Sequence, residues 1–277
     1  MTAEPGIVDS HIHLLPGRLA LKIRAFFEER ITAALAYPLD HTTVLNMLQQ
    51  VGIDTVWSLP YAHKAGVAAG MNQSSAEIVK EQATHPVKMI GGATVHPLDN
   101  DPAAIVLEAL DTYGLKVLKL HCSVGNFRAD DPAFNPVWAL VSERRMPVII
   151  HLGHAVSGHT AASEVEPIAR VAEAFPQARI IIAHCGHVAG PEALDLVETY
   201  PSVYADLTPV VFELVAVPAE RVNQLAHKLL FGSDAPNTGL SVQQCLAHIK
   251  NFELEPEAEA NILGGTARRL LAEVQSN

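Results

Sequence analysis

The feature that most constrains how this chain can fold is a recurring local pattern: a short β-branched run, a polar or Gly/Pro-marked turn, then a stretch with helical periodicity. Eight such runs can be counted, Ile7 to Leu14, Asp54 to Pro60, Met89 to Val95, Val117 to His121, Pro147 to Leu152, Arg179 to His184, Ser202 to Leu207 and Lys228 to Ser233. Between them lie helical stretches such as Ser74 to Thr84, Pro102 to Tyr113, Pro132 to Arg145, Glu164 to Phe175 and Pro191 to Tyr200. This alternation means parallel strands joined by helical crossovers, and eight units is the number at which such a sheet closes into a barrel. An open, doubly wound sheet is the rival. The placement of polar residues favours closure: His11, His13, His121, His151, His184 and Asp234 each fall at the C-terminal end of a predicted strand. Those ends share one rim in a barrel, whereas in an open sheet they are strung along an edge. No linker or composition break interrupts the pattern, and 49% hydrophobic residues supply a sizeable core. The expectation is an α/β chain forming a single-domain (β/α)8 TIM barrel over residues 1–277.

Two segments exceed the minimal repeat. The first βα connection, 15–52, is far longer than a usual loop plus one helix, and it carries an amphipathic stretch, Leu19 to Ala36, with Ile23, Phe26, Phe27 and Ile31 at helical spacing. An extra helix packed on the barrel is the simplest reading; a lid over the rim or a partner-binding helix are the alternatives. The tail, 256–274, reads as a closing amphipathic helix with a structural role.

Charge and cysteine usage narrow the function classes. A formal charge of −11, from 19 basic and 30 acidic residues, argues against nucleic acid or an anionic membrane surface as a partner. Three cysteines with no close pairing, no signal peptide and no long apolar segment predict a soluble, cytoplasmic protein. A small molecule is the expected partner, and a homo-oligomer is left open.

The histidines carry the chemistry. In Val8-Asp9-Ser10-His11-Ile12-His13 the two imidazoles lie two residues apart on a strand, so both project to the same side and can converge on a metal ion. Two ligands do not fill a shell. His151 ends Val148-Ile149-Ile150-His151, His184 ends the sixth run, and Asp234 follows the apolar Leu230-Phe231-Gly232-Ser233. A carboxylate at the end of a buried strand is expensive without a cation or hydrogen bonds; the alternative for Asp234 is a cap on the turn with Pro236 and Asn237. His11, His13, His151 and Asp234 together give three neutral nitrogens and one carboxylate, a set suited to zinc that leaves a position open. Lys119 and His121 share a strand face, and the lysine must meet a carboxylate, a substrate anion or solvent. His154 and His187, each three residues beyond a strand-end histidine, either touch substrate or are solvated. Cys122 and Cys185 read as packing residues.

The set Asp-x-His-x-His, Lys-Leu-His, Pro-Val-Ile-Ile-His-Leu-Gly, Ala-His-Cys-Gly, Tyr-Ala-Asp-Leu and Phe-Gly-Ser-Asp-Ala-Pro, spread from the first run to the eighth, resembles the amidohydrolase superfamily and within it the amidohydrolase-related branch. The resemblance implies a distorted barrel holding one or two ions, with His11, His13, His151 and Asp234 as ligands and His184 beside the metal-bound water. Members with two ions often bridge them with a carboxylated lysine of the fourth strand, and Lys119 lies where such a residue could be. The expectation here is one zinc ion per chain and an ordinary ammonium on Lys119.

The expected function is metal-dependent hydrolysis of an ester, lactone or amide, with Asp234 taking the proton of the activated water and His184 orienting it or stabilising the oxyanion. Lys119, His121 and His154 are candidates for holding substrate. Decarboxylation of a carboxylated aromatic or semialdehyde is the alternative, with Arg18, Lys22 and Arg24 of the first connection as candidate cations. A non-catalytic metal-binding barrel is the alternative of another class.

Overall fold

The structure, a computed structural model, describes residues 6–30, 34–151 and 161–276. Eight parallel strands follow one another in sequence order: β1 (Ile7–Ile12), β2 (Ile53–Ser58), β3 (Lys88–Thr94), β4 (Val117–Leu120), β5 (Pro147–Ile150), β6 (Arg179–Ile182), β7 (Val203–Asp206) and β8 (Leu229–Leu230). Backbone bonds beyond the regular pairing close the ring. Ser10 N–H donates to Phe231 O at 2.9 Å, Asp234 N–H to His11 O at 2.9 Å, and His13 N–H to Ala235 O at 2.7 Å. The expected barrel is therefore what the chain forms, with each strand one crossover from the next.

Burial on both faces explains why the strands read as nearly continuous apolar runs. In β5, Val148 and Ile150 join the large core beneath the surrounding helices, while Ile149 joins a second cluster with Trp57, Ile90, Val117, Ile181, Tyr204 and Leu230. That second cluster draws on all eight strands and fills the barrel interior; Ala267 and Leu270 of the C-terminal helix Thr266–Ala272 belong to it. Its polar continuation toward the strand ends is Lys119, two residues beyond Val117, and Asp206, two beyond Tyr204.

The segments outside the repeat are resolved as follows. The connection 15–52 holds two helices, Gly17–Glu28 and His41–Gln49. The second buries Val44, Leu45 and Leu48 and is the ordinary outer helix of the first unit, whereas the first buries only Ala20. The predicted amphipathic stretch thus stops at Glu28 rather than running to Ala36, and its Ile31 lies outside the described residues. The tail is broken into Pro256–Ala260, a wider-turned segment Asn261–Gly265, and Thr266–Ala272. The break falls at Gly264, where a Cβ would lie 2.3 Å from the Arg268 guanidinium and 3.2 Å from Val8, so a side chain there would have to displace the end of Arg268 and press on β1. Among the described residues no helix is long and apolar enough to cross a membrane.

Candidate metal and catalytic site

β1 delivers two imidazoles whose outer nitrogens are already committed. His13 Nδ1 lies 2.6 Å from Leu59 O, and His11 Nδ1 lies 2.9 Å from Asp206 Oδ2. A carbonyl only accepts, so His13 carries its proton on Nδ1. The Asp206 carboxyl is held below its ordinary range: burial pushes it up, but His11, His184 and Thr208 outweigh that. It is ionised, and His11 likewise donates from Nδ1. Burial, with the neighbouring Lys119 ammonium, lowers His11 to about 3, so its ring is neutral. Both Nε2 lone pairs then face the same point, and an outer hydrogen bond that fixes the tautomer in this way is what orients metal-binding histidines.

Asp234 completes the set from beyond β8. Its Oδ1 is 3.1 Å from His13 Nε2 and 3.9 Å from His11 Nε2, and the three donor atoms all lie within 4.8 Å of one another. Bonds of about 2.1 Å to a tetrahedral ion place donors about 3.4 Å apart, and the observed separations bracket that. The residues fit a divalent ion. Burial pushes the Asp234 carboxyl up, yet the adjacent His13, His184 and His11 hold it below its ordinary range, so it is present as carboxylate. Its backbone sits at φ 62°, in the left-handed region that Asp tolerates better than most residues.

Asp206 is the residue that sequence reasoning missed. It is fully buried, and besides His11 it accepts from His184 N–H at 2.8 Å and Thr208 N–H at 3.2 Å, both through Oδ1. Its signal was the acid ending Tyr-Ala-Asp-Leu, the same pattern that singled out Asp234. Asp9 was passed over too: its Oδ1 accepts from Ser233 N–H at 3.0 Å and His11 N–H at 3.2 Å, clasping β1 to the β8 loop. Burial, the largest influence, raises its carboxyl to about 7.

His184 does not end a strand. β6 stops at Ile182, and His184, Cys185, Gly186 and His187 all take positive φ (55°, 43°, 72° and 47°). Left-handed backbone at three non-glycine residues costs energy, and such strain persists where surroundings over-determine it; here the Asp206 bond to His184 N–H is one constraint. The turn sets the His184 ring 4.9 Å from His11, with Nδ1 3.3 Å from Thr208 O and Nε2 3.1 Å from His151 Nδ1. His11, His184 and Asp206 form a second group of donors within 4.8 Å.

Neither donor group includes His151. It stacks on His121 at 3.7 Å with an interplanar angle of 17°, and burial drives both rings well below their ordinary range, so both are neutral. His121 Nδ1 accepts from Val124 N–H at 3.4 Å, which leaves the ring proton on Nε2. Tyr61, also unflagged by the sequence, lies 5.5 Å from His13 and 5.0 Å from His121, ring to ring. Burial pushes its hydroxyl above its ordinary range, so it is a donor. Lys119 does not reach solvent: it is fully buried, and its Nζ lies 2.9 Å from His11 Nε2. His187 Nε2 sits 2.9 Å from Glu213 Oε2. His154 lies outside the described residues. Cys185 and Cys245 are buried, their thiols raised to about 12 by burial, and fit a packing role.

Above this floor is a cavity walled by Phe27 of the first helix, Tyr61, and the turn Val210–Glu213, with His13, His121, His151, His184 and Asp234 beneath. The turn is tight, with Val210 and Glu213 exchanging backbone bonds at 2.9 and 2.8 Å.

The arrangement can be set beside known proteins. No curated protein matches the chain. Among solved structures it is similar to an uncharacterised TIM-barrel protein from Bordetella bronchiseptica, at 20% identity, TM-score 0.77, with 96% of this chain and 98% of that one covered. A 5-carboxyvanillate decarboxylase from Novosphingobium aromaticivorans with bound manganese superposes at 11% identity, TM-score 0.70, covering 96% and 97%. A 4-oxalomesaconate hydratase from Rhodopseudomonas palustris does so at 17% identity, TM-score 0.63, covering 96% of each chain. At these identities the likeness is one of fold. The family model described as Amidohydrolase matches residues 8–272, from β1 through the last helix, and over that span the chain belongs to the amidohydrolase family.

Proposed function

We propose that the protein is a metal-dependent enzyme acting on a small molecule, and that its reaction is hydrolysis of an ester, lactone or amide. The observation that carries the reading is the contact of His13 Nε2 with Asp234 Oδ1 at 3.1 Å, when His13 Nδ1 already donates to Leu59 O. With its proton on Nδ1 the imidazole turns a lone pair toward a carboxylate, which is unfavourable unless a cation, a second ring proton or a metal ion, sits between them. A divalent ion held by His11, His13 and Asp234 would supply that cation, lower the pKa of water and polarise a carbonyl.

The chain's own groups supply the rest. Asp234, ionised and at the cavity floor, holds the proton removed from the attacking water. His121 and Tyr61 line the cavity, and the His121 Nε2–H and the Tyr61 hydroxyl are neutral donors that would stabilise negative charge on a substrate oxygen. His184 is fixed by Thr208 O and His151 beside the His11 ring. Phe27, Val210, Val211 and Phe212 form an apolar wall above these groups. Zinc is the ion we propose, with manganese, the ion bound in the similar decarboxylase, as the other to test.

Decarboxylation is the second reading, favoured by decarboxylases among the structurally similar proteins. It would use the same floor. The first-connection cations do not serve it: Arg24 donates to Tyr37 O and Pro236 O at 2.9 and 3.0 Å, Arg18 and Lys22 are exposed, and among the described residues no arginine or lysine lines the cavity. A leaving carboxylate would instead be held by His121 and Tyr61. The test is a screen of purified protein with zinc or manganese against lactones, esters, amides and carboxylated aromatics. Acid release supports hydrolysis, carbon dioxide release supports decarboxylation, and turnover that persists after complete metal removal overturns both.

A further inference from the structure

Lys119 is out of place for a bystander. It is fully buried, its Nζ is 2.9 Å from His11 Nε2, and its strand is pinned by Thr94 Oγ1–H donating to Lys119 O at 3.0 Å. Because His11 Nδ1 is committed to Asp206, the Nε2 lone pair is all that His11 can offer, and one lone pair makes one bond. An ammonium and a metal ion cannot both take it.

We propose that Lys119 competes with the divalent ion for His11, so that metal binding displaces the ammonium from Nε2 and Lys119 sets the affinity of the site without being one of its ligands. The inference rests on reading His11, His13 and Asp234 as the metal site. Two physical effects act in the same direction. The lysine must break its bond to His11 before the ion can use that nitrogen, and the displaced ammonium stays inside the barrel, where like charges a few ångströms apart repel far more strongly than in water. The arrangement has a use. Burial lowers the Lys119 ammonium, and the Asp206 and Asp234 carboxylates work against that by attracting it, so the ammonium supplies positive charge to a buried acidic site before an ion arrives and limits the cost of burying those carboxylates unpaired.

The experiment is calorimetric titration of chelator-stripped full-length protein with manganese chloride and zinc chloride, comparing the parent with Lys119→Met, Lys119→Gln and His13→Ala. The expected result is one equivalent in the parent, binding tighter by on the order of 10-fold or more in either lysine variant, since removing a like charge at this range shifts an ion equilibrium by at least that much. Thermal melts of the stripped proteins should show the lysine variants less stable than the parent, and added manganese should reverse the order. Unchanged or weaker binding in a folded Lys119→Met or Lys119→Gln protein overturns the proposal, as does a fall from two equivalents to one, which would make Lys119 a bridge. Should neither variant fold, a crystal structure of the parent with manganese decides: Nζ moved out of hydrogen-bond reach of His11 supports displacement, and Nζ still on His11 or on the ion refutes it. Binding that survives His13→Ala, or none in any protein, would overturn the metal-site reading itself and the competition with it.

Discussion

At the residue scale, two carboxylates divide the work at the barrel floor. Asp234 faces the cavity and Asp206 stands behind His11, fully buried, with its oxygens shared among His11 and two backbone amides. Asp234→Asn keeps the shape and the left-handed backbone, which Asn also tolerates, while removing the charge and the proton acceptor. Turnover of the metal-loaded variant should fall by on the order of 10² to 10⁴, while the melting temperature of the metal-free protein changes little; near-normal turnover in a folded, metal-loaded variant would take Asp234 out of the mechanism. Asp206→Asn acts differently, because its single amide oxygen can accept from His11 Nδ1–H or from the His184 and Thr208 N–H groups but not from both, and it no longer strengthens the ring as a donor. Manganese affinity should weaken by about 10- to 100-fold, as for other carboxylates behind a metal-binding histidine, read by the same calorimetry. Unchanged affinity would reduce Asp206 to a fold-closing role.

At the element scale, the wall of the cavity is a four-residue turn pinned from its neighbours. Val211, a β-branched residue at φ 51°, is held by Thr238 Oγ1–H and Gly239 N–H, which donate to its carbonyl at 2.7 and 2.9 Å. Phe212 lies flat against the next loop at Gly239, where a Cβ would come within 1.6 Å of the ring. The bare Cα of Gly239 is what lets the aromatic wall sit where it does. In Gly239→Ala the Phe212 ring, 36% exposed, has room to swing and must do so. KM for whichever substrate the screen identifies should change while kcat and melting temperature hold. A loss of kcat at constant KM would show that the turn acts on the chemistry rather than on substrate fit.

At the scale of the whole molecule, the site is where the barrel closes. Ser10, His11 and His13 of the first unit bond to Phe231, Asp234 and Ala235 of the last, so the ligands from the two ends of the sequence are brought together by the same contacts that complete the ring. An ion bound there favours the closed barrel over the unfolded chain by mass action, by about 4 kcal/mol at a thousand-fold excess over its dissociation constant. Chelation should lower the melting temperature and added manganese or zinc should restore it with a logarithmic dependence on concentration. His13→Ala should abolish that dependence. A melting temperature indifferent to both treatments would count against an ion at this seam.

Much of this was legible in the sequence because the relevant patterns are local. Each βα unit announces itself within some thirty residues, and eight in succession leave few topologies, so the barrel and its strand order follow from spacing. The two-residue period placed His11 and His13 on one face, and the apolar run before Asp234 marked a carboxylate in need of a cation. What only the tertiary structure decided depends on partners distant in the chain. His11 meets Asp206 across 195 positions and His13 meets Leu59 across 46, and these contacts choose the tautomers that aim both lone pairs inward. The left-handed turn after β6 carries His184 beside His11, while His151 stacks on His121 instead of joining the three donors, and no local signal distinguishes these histidines from one another. Lys119 on a strand face reads the same at any depth; only closure of the barrel, by fixing which strands face one another across its interior, puts the ammonium on His11.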